Sequence, residues 1–164
     1  MAIELKKAIL TSFSILFLSF MLFVIPFNTL VSGSTSTIKV PQDYPTIQEA
    51  INHANSGDTI FVSNGTYPEN VVVNKRVSLV GEDKDSTIID GGGTGSVISM
   101  MASNVSIRGF TVRNSGNSTP FDSGIFIVYS SDNGISGNNI VNNNVGIYLY
   151  FSSYSVVSSN TVNS

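Results

Sequence analysis

From Thr59 onward, Val and Ile recur in short runs, and Gly, Asn, Asp and Ser separate the runs. This pattern predicts short β-strands between turns, near residues 59–62, 70–73, 77–80, 87–89, 97–100, 105–107, 110–112, 124–129, 135–136, 139–141, 145–151, 156–157 and 161–162. One upstream stretch has a different period. Ile47, Ala50, Ile51 and Ala54 lie at helical spacing behind Thr46-Ile47-Gln48-Glu49, which has the form of a capping box, and Gly57 offers a stop. A single short amphipathic helix ahead of many strands predicts a cap over the first turn of a stack.

The strand pattern repeats. Gly124-Ile125-Phe126-Ile127-Val128-Tyr129 returns at an offset of 22 as Gly146-Ile147-Tyr148-Leu149-Tyr150-Phe151. Ile135-Ser136-Gly137-Asn138-Asn139-Ile140 returns at the same offset as Val157-Ser158-Ser159-Asn160-Thr161-Val162. Ile107, Gly109 and Val112 match Ile135, Gly137 and Ile140 at an offset of 28, and the extra length falls in the polar stretch 114–122. Further back, Val97 is aligned with Ile125, which sets Ser99 against Ile127. A period near 20 made of strands and polar turns marks a β-solenoid. The fold class is therefore all-β, a right-handed parallel β-helix of about four to five coils with a short N-terminal capping α-helix. Ile125/Ile147, Ile127/Leu149, Ile135/Val157 and Ile140/Val162 should stack as inward columns, with coils roughly 4.8 Å apart. Asn138 and Asn160 should occupy one turn position, tolerate a left-handed backbone and link their amides from coil to coil.

Residues 1–33 stand apart. Lys6 and Lys7 precede an uncharged, mostly apolar run from Ala8 to Ile25, Pro26 breaks it, and Val31-Ser32-Gly33 supplies small residues for cleavage. The expected organisation is a signal peptide, or an uncleaved membrane anchor, over 1–33, and a β-helix over 34–164. Either form exports the rest, to a secreted, periplasmic or cell-surface location. The sequence stops within a repeat, so a truncated C-terminus is expected, or an end-to-end contact that covers the open last coil. The net charge of −3 with 12% charged residues offers no basic patch, so no nucleic-acid partner is expected. The lack of Cys excludes disulfides and thiolate metal sites.

Two stretches carry a family resemblance. Tyr44-Pro45-Thr46-Ile47-Gln48-Glu49-Ala50-Ile51, Gly57-Asp58-Thr59-Ile60, Gly65-Thr66-Tyr67-Pro68-Glu69, Leu79-Val80-Gly81 and Thr87-Ile88-Ile89-Asp90-Gly91 resemble the opening of pectinesterases. The Asn-rich repeats of residues 124–163 resemble those of NosD-like β-helix proteins, a copper-accessory family, and of surface proteins with similar repeats. Both belong to the pectin-lyase-like superfamily of right-handed β-helices, a fold that hosts enzymes and non-enzymes alike. The resemblance implies a Gln, two Asp and an Arg for pectinesterase chemistry, but their motifs lie downstream of the similar stretch and have no counterpart here. Polygalacturonase-like chemistry implies clustered Asp with His and Arg, and the single His53 lies on the predicted helix. Lyase-like chemistry implies Asp residues on Ca²⁺ beside an Arg. Asp83, Asp85 and Asp90 with Arg108 or Arg113 are the residues available, and such turn charges are more often solvated.

Copper binding would draw on His53, Met100 and Met101, yet neighbouring strand residues point to opposite faces. No catalytic residue, metal site or cofactor is expected. The candidate site is aromatic. With Ile147 and Leu149 inward, Tyr148 and Tyr150 face out, and Phe126 stacks beneath Tyr148. Exposed aromatic faces hold sugars or partners, and the competing role is cross-coil packing. The expected partner is a polysaccharide or cell-surface glycan, bound by Phe126, Tyr148 and Tyr150 in a non-catalytic module. The alternatives are the N-terminal part of a polysaccharide-processing enzyme and a NosD-like periplasmic copper accessory protein. Asn64-Gly65-Thr66, Asn104-Val105-Ser106 and Asn117-Ser118-Thr119 fit the N-glycosylation triplet.

Overall fold

The structure is a computed structural model and describes residues 34–163; the predicted export segment lies outside the described residues. Strand β1 (Thr37–Val40) and helix α1 (Ile47–His53) come first. Four full coils of three strands follow: β2 (Thr59–Val62), β3 (Gly65–Pro68) and β4 (Val71–Val73); β5 (Ser78–Gly81), β6 (Thr87–Asp90) and β7 (Ile98–Met100); β8 (Ser106–Arg108), β9 (Thr111–Arg113) and β10 (Ser123–Val128); β11 (Gly134–Ser136), β12 (Asn139–Val141) and β13 (Val145–Tyr150). β14 (Val156–Ser158) and β15 (Thr161–Asn163) begin another. The strands form three parallel sheets, ordered β1-β2-β5-β8-β11-β14, β3-β6-β9-β12-β15 and β4-β7-β10-β13. This is the right-handed parallel β-helix that the repeat predicts.

Strand alternation builds the core as columns. Ile60, Leu79, Ile107, Ile135 and Val157 are register partners in the first sheet. Tyr67, Ile89, Val112, Ile140 and Val162 line up in the second. Val73, Met100, Ile127 and Leu149 do so in the third. Every predicted column pair is present. One register differs from the sequence alignment: Ile98, not Val97, pairs with Ile125, so Met100 faces in beside Ile127 and Ser99 faces out beside Phe126. A slip of one residue exchanges the faces, and the slip resolves the mismatch between Ser99 and Ile127. β1 and β3 lie where no strand was predicted, because Lys39, Gly65 and Pro68 interrupt the apolar pattern.

The turns follow a rule that corrects the expected role of Asn138 and Asn160. The left-handed residue is the one before each Asn, at Gly137 (φ 64) and Ser159 (φ 56). The Asn itself turns inward as a spacer between coils. Asn138 Oδ1 accepts from Phe110 N at 3.1 Å, Asn160 Oδ1 from Asn138 N at 3.0 Å, and Asn160 Nδ2 donates to Ile135 O at 2.8 Å. Asn138 Nδ2 also donates to Asn160 Oδ1 at 3.0 Å, which is the expected amide link from coil to coil. Gly81 and Gly109 pack backbone to backbone at an earlier turn, where a Cβ on Gly81 would collide with the Gly109 carbonyl oxygen.

The N-terminal end is closed by side chains that imitate a strand. Helix α1 starts as predicted, with Thr46 Oγ1 accepting from Glu49 N at 3.1 Å. Gln48 Oε1 then accepts from Val72 N at 2.7 Å and Gln48 Nε2 donates to Val72 O at 3.3 Å, satisfying the free edge of β4. Glu69 accepts from the Ile47 and Gln48 amides at 3.0 and 2.9 Å, where the helix leaves its N–H groups unpaired. Lys75 Nζ donates to Asn52 O and Ala54 O at the other end of the helix, both at 3.0 Å. Ile47, Ala50 and Ile51 are fully buried beneath it.

Candidate aromatic binding face

β10 and β13 are neighbours in the third sheet, and Phe126 is the register partner of Tyr148. With Ile125 and Ile127 inward, Phe126, Tyr148 and Tyr150 point outward, as the sequence places them. The Phe126 and Tyr148 rings lie 5.7 Å apart at 29°, and those of Tyr148 and Tyr150 lie 6.5 Å apart at 17°. All three side chains are half-buried.

Three further aromatics complete the face. Phe121 comes from the loop inserted before β10, and its ring is 6.4 Å from Phe126, 5.6 Å from Tyr148 and 6.1 Å from Tyr150. A ring almost equidistant from three others lies across the triangle they form. Tyr129 and Phe151 follow β10 and β13 at one turn position, both at φ 48 and both 72% exposed. Their rings stack at 5.5 Å and 15°, and Tyr129 meets Tyr150 edge-on at 5.7 Å. A left-handed non-glycine residue costs about 1–2 kcal/mol, so the turn geometry holds these rings outward against a local preference. The offset of 22 already aligns Tyr129 with Phe151 in the sequence, but strand alternation ends at the turn and so does not show that they join the face. Phe121 leaves no such signal, because its loop has no copy in the following coil.

The loop carrying Phe121 is folded around Asp122. This carboxylate accepts from Thr119 Oγ1 at 2.8 Å, Ser118 N at 2.8 Å and Thr119 N at 3.2 Å. The Thr119 hydroxyl first, and then the two amides against the opposing effect of burial, hold its pKa below the ordinary value. Ser96 Oγ donates to Phe121 O at 3.1 Å and ties the loop to the coil before it.

The acidic candidates are dispersed into structural roles. Arg113 Nε donates to Asp90 Oδ2 at 2.8 Å, and Asn114 Nδ2 lies 2.9 and 3.0 Å from the two Asp90 oxygens. Burial disfavours the charge on Asp90, but Asn114, the Gly92 amide and Arg113 outweigh it and keep the pKa low. Asp83 accepts from Asp85 N within its own turn at 2.9 Å, and Asp85 accepts from Asn139 Nδ2 at 2.8 Å. Arg108 is exposed on β8. Among the triplet asparagines, Asn64 Oδ1 is occupied by the Ser86 and Thr87 hydroxyls at 2.9 and 3.2 Å, while Asn104 and Asn117 are exposed. A polar groove of about 320 Å³, lined by Arg76, Ser78, Asn104, Ser106 and Asp132 among others, crosses the first sheet away from the rings.

The model of a family described as periplasmic copper-binding protein (NosD) matches residues 28–164. Among solved structures, the chain is similar to the pectin methylesterase of Erwinia chrysanthemi, with 16% identity, a TM-score of 0.58, and coverage of 77% of this chain and 49% of that one. It is also similar to the carrot pectin methylesterase, with 17% identity, a TM-score of 0.56, and coverage of 77% and 50%. A pectin methylesterase in complex with a hexasaccharide gives 17% identity, a TM-score of 0.58, and coverage of 77% and 49%. The chain thus spans about half the length of these structures, and the likeness is one of fold. No curated protein matches it.

The residues described do not fit a copper ion. The His53 ring lies flat against Tyr44, 4.4 Å away at 15°, and its Nδ1 sits 2.9 Å from Glu49 O. Met100 is fully buried in the core while Met101, on the opposite face, is 54% exposed. No three His, Cys, Asp or Glu side chains converge among the described residues.

Proposed function

Because the chain belongs to the NosD family and is an exported right-handed β-helix protein, we propose that it is a non-catalytic module that binds polysaccharide or cell-surface glycan through its aromatic face. The observation that carries this reading is the contiguity of Phe126, Tyr129, Tyr148, Tyr150 and Phe151 on one outer surface. Aromatic rings offer apolar faces to the C–H faces of sugars, and Tyr hydroxyls offer hydrogen bonds to their hydroxyls. Asp90 is engaged by Arg113 and Asn114, and Asp83 by the Asp85 amide, away from any shared pocket with Arg108, which supports binding without turnover.

A polysaccharide pull-down with product analysis, using the full chain, tests this. The native protein should be retained on at least one polymer and release no reducing ends, unsaturated products or methanol. The Tyr148→Ser/Tyr150→Ser double variant should lose retention and keep its β-sheet circular dichroism; equal retention would remove the aromatic face from the site. Family membership alone favours a second reading, copper handling. Equilibrium dialysis against copper should leave less than one equivalent bound, and a stoichiometric equivalent would favour that reading instead.

A further inference from the structure

We propose that the triangle of Phe126, Tyr148 and Tyr150 is a sugar-ring subsite, and that Phe121 fills it in this structure as a displaceable cover. The inference rests on the carbohydrate reading above and adds where the sugar sits and what must move.

The first argument is geometric. β10 and β13 set three outward rings in an array whose faces lie within 29° of one another along each neighbouring pair. Phe121 lies across that array, tilted by 52° and 60° to the two tyrosines. Its ring occupies the position over the array that a pyranose would need. Phe121 itself remains 44% exposed, whereas the rings beneath it are half-buried.

The second argument concerns what the fold requires. In the following coil the chain passes from the left-handed turn at Asn142 to β13 at Val145 directly, yet in this coil it takes residues 115–122 to pass from the matching turn at Asn114 to β10. The strand pairing of β10 with β13 does not need the insertion. Its shorter polar bonds are gathered at the ends: Ser115 N to Asn143 Oδ1 at 3.0 Å, Gly116 N to Gly95 O at 2.7 Å, and the Asp122 carboxylate. Between these anchors, residues 117–121 are exposed, and Phe121 is the large apolar group among them. Ser118 and Thr119 bond back to Asp122, so the loop can lift as a unit once two bonds to the neighbouring coils, Ser96 Oγ to Phe121 O at 3.1 Å and Asn144 Nδ2 to Thr119 O at 3.4 Å, are released.

The sequence has no Trp and six Tyr, of which Tyr129 and Tyr154 are already 72% and 85% exposed, so the uncovering of Tyr148 and Tyr150 is read as the difference in tyrosine quenching between the native protein and each variant. Acrylamide quenching and polysaccharide retention of the full chain are measured for the native protein and for Phe121→Ser, with Thr119→Ala as a milder variant that loosens the loop without touching the rings. Phe121→Ser should increase quenching and tighten retention. The gain approaches the inverse of the open fraction of the native loop, about tenfold for a loop open a tenth of the time. Thr119→Ala should shift both readouts the same way by less. Raised quenching with no retention by any of the proteins would uphold the cover and overturn the carbohydrate reading. Unchanged quenching in both variants would overturn the cover. Raised quenching with weaker retention would make Phe121 a ligand contact and overturn the subsite.

Discussion

The two ends of the described coils carry the same inward pattern and meet water differently. At the N-terminal end, α1 lies over the columns, and Gln48 supplies the hydrogen bonds that an absent strand would make to Val72. At the other end, Leu149, Val157 and Val162 continue columns whose previous members, Ile127, Ile135 and Ile140, are fully buried, yet they are 43%, 45% and 48% exposed. A solenoid residue is buried by the coil beyond it as much as by its own strand. The inward pattern therefore states which way a side chain points, and the neighbouring coil decides what that direction is worth.

The sharpest way to break this comparison is to truncate one column at two heights. Ile107→Ala in the covered interior should cost about 2–5 kcal/mol in urea unfolding. Val157→Ala, two coils further along the same column, should cost roughly 1 kcal/mol or less, since only part of its surface leaves water. Equal losses would mean that position in the stack does not set burial energy. A smaller effect separates the edges. Gln48→Ala leaves the Val72 amide without its partner and should cost about 1–3 kcal/mol. Asn160→Ala should cost less, because Asn160 is only part-buried and its truncation opens the Asn138 amide, fully buried beneath it, to water.

Acid should also separate the ends. Asp58 accepts from Ser36 N and Asn55 N, both at 2.8 Å, and these bonds, Ser36 first, hold its pKa below the ordinary value despite burial. A depressed folded pKa means that the stabilisation is complete above the unfolded value of about 3.9 and is lost as pH falls through the lower folded value. Urea midpoints taken from about pH 5 downward should therefore fall for the native chain and fall less steeply for Asp58→Asn. Matching slopes would remove Asp58 from the acid response. The smallest effect belongs to the rings. Tyr148→Ser should reduce stability by only about 0.5–1.5 kcal/mol, within the range of an aromatic pair. A much larger loss would make the face a packing element rather than a binding surface.

The fold was largely legible because a repeat reports its own register. The offset of 22 placed Ile125 on Ile147 and Ile135 on Val157 without any knowledge of three-dimensional structure. It failed where the coils change length. The step from β7 to β10 carries Ile98 to Ile125, a longer offset, and Val97 and Ile98 are both apolar, so the pattern could not choose between them. β3 was missed because Tyr67 is its single inward side chain, between Gly65 and Pro68 at its ends. For the candidate site, strand alternation was enough to place Phe126, Tyr148 and Tyr150 outward. It could not reach Tyr129 and Phe151, whose direction comes from a left-handed turn, or Phe121, whose position comes from the folding of a loop around Asp122.

The strand-to-strand hydrogen bonds between coils run along the axis of the stack, from one coil to the next. A pull applied along that axis loads the few bonds between two coils without sharing the force with the rest. The described coils should therefore yield as a zip, releasing one at a time. A pull along a strand, across the axis, would instead shear a whole ladder at once.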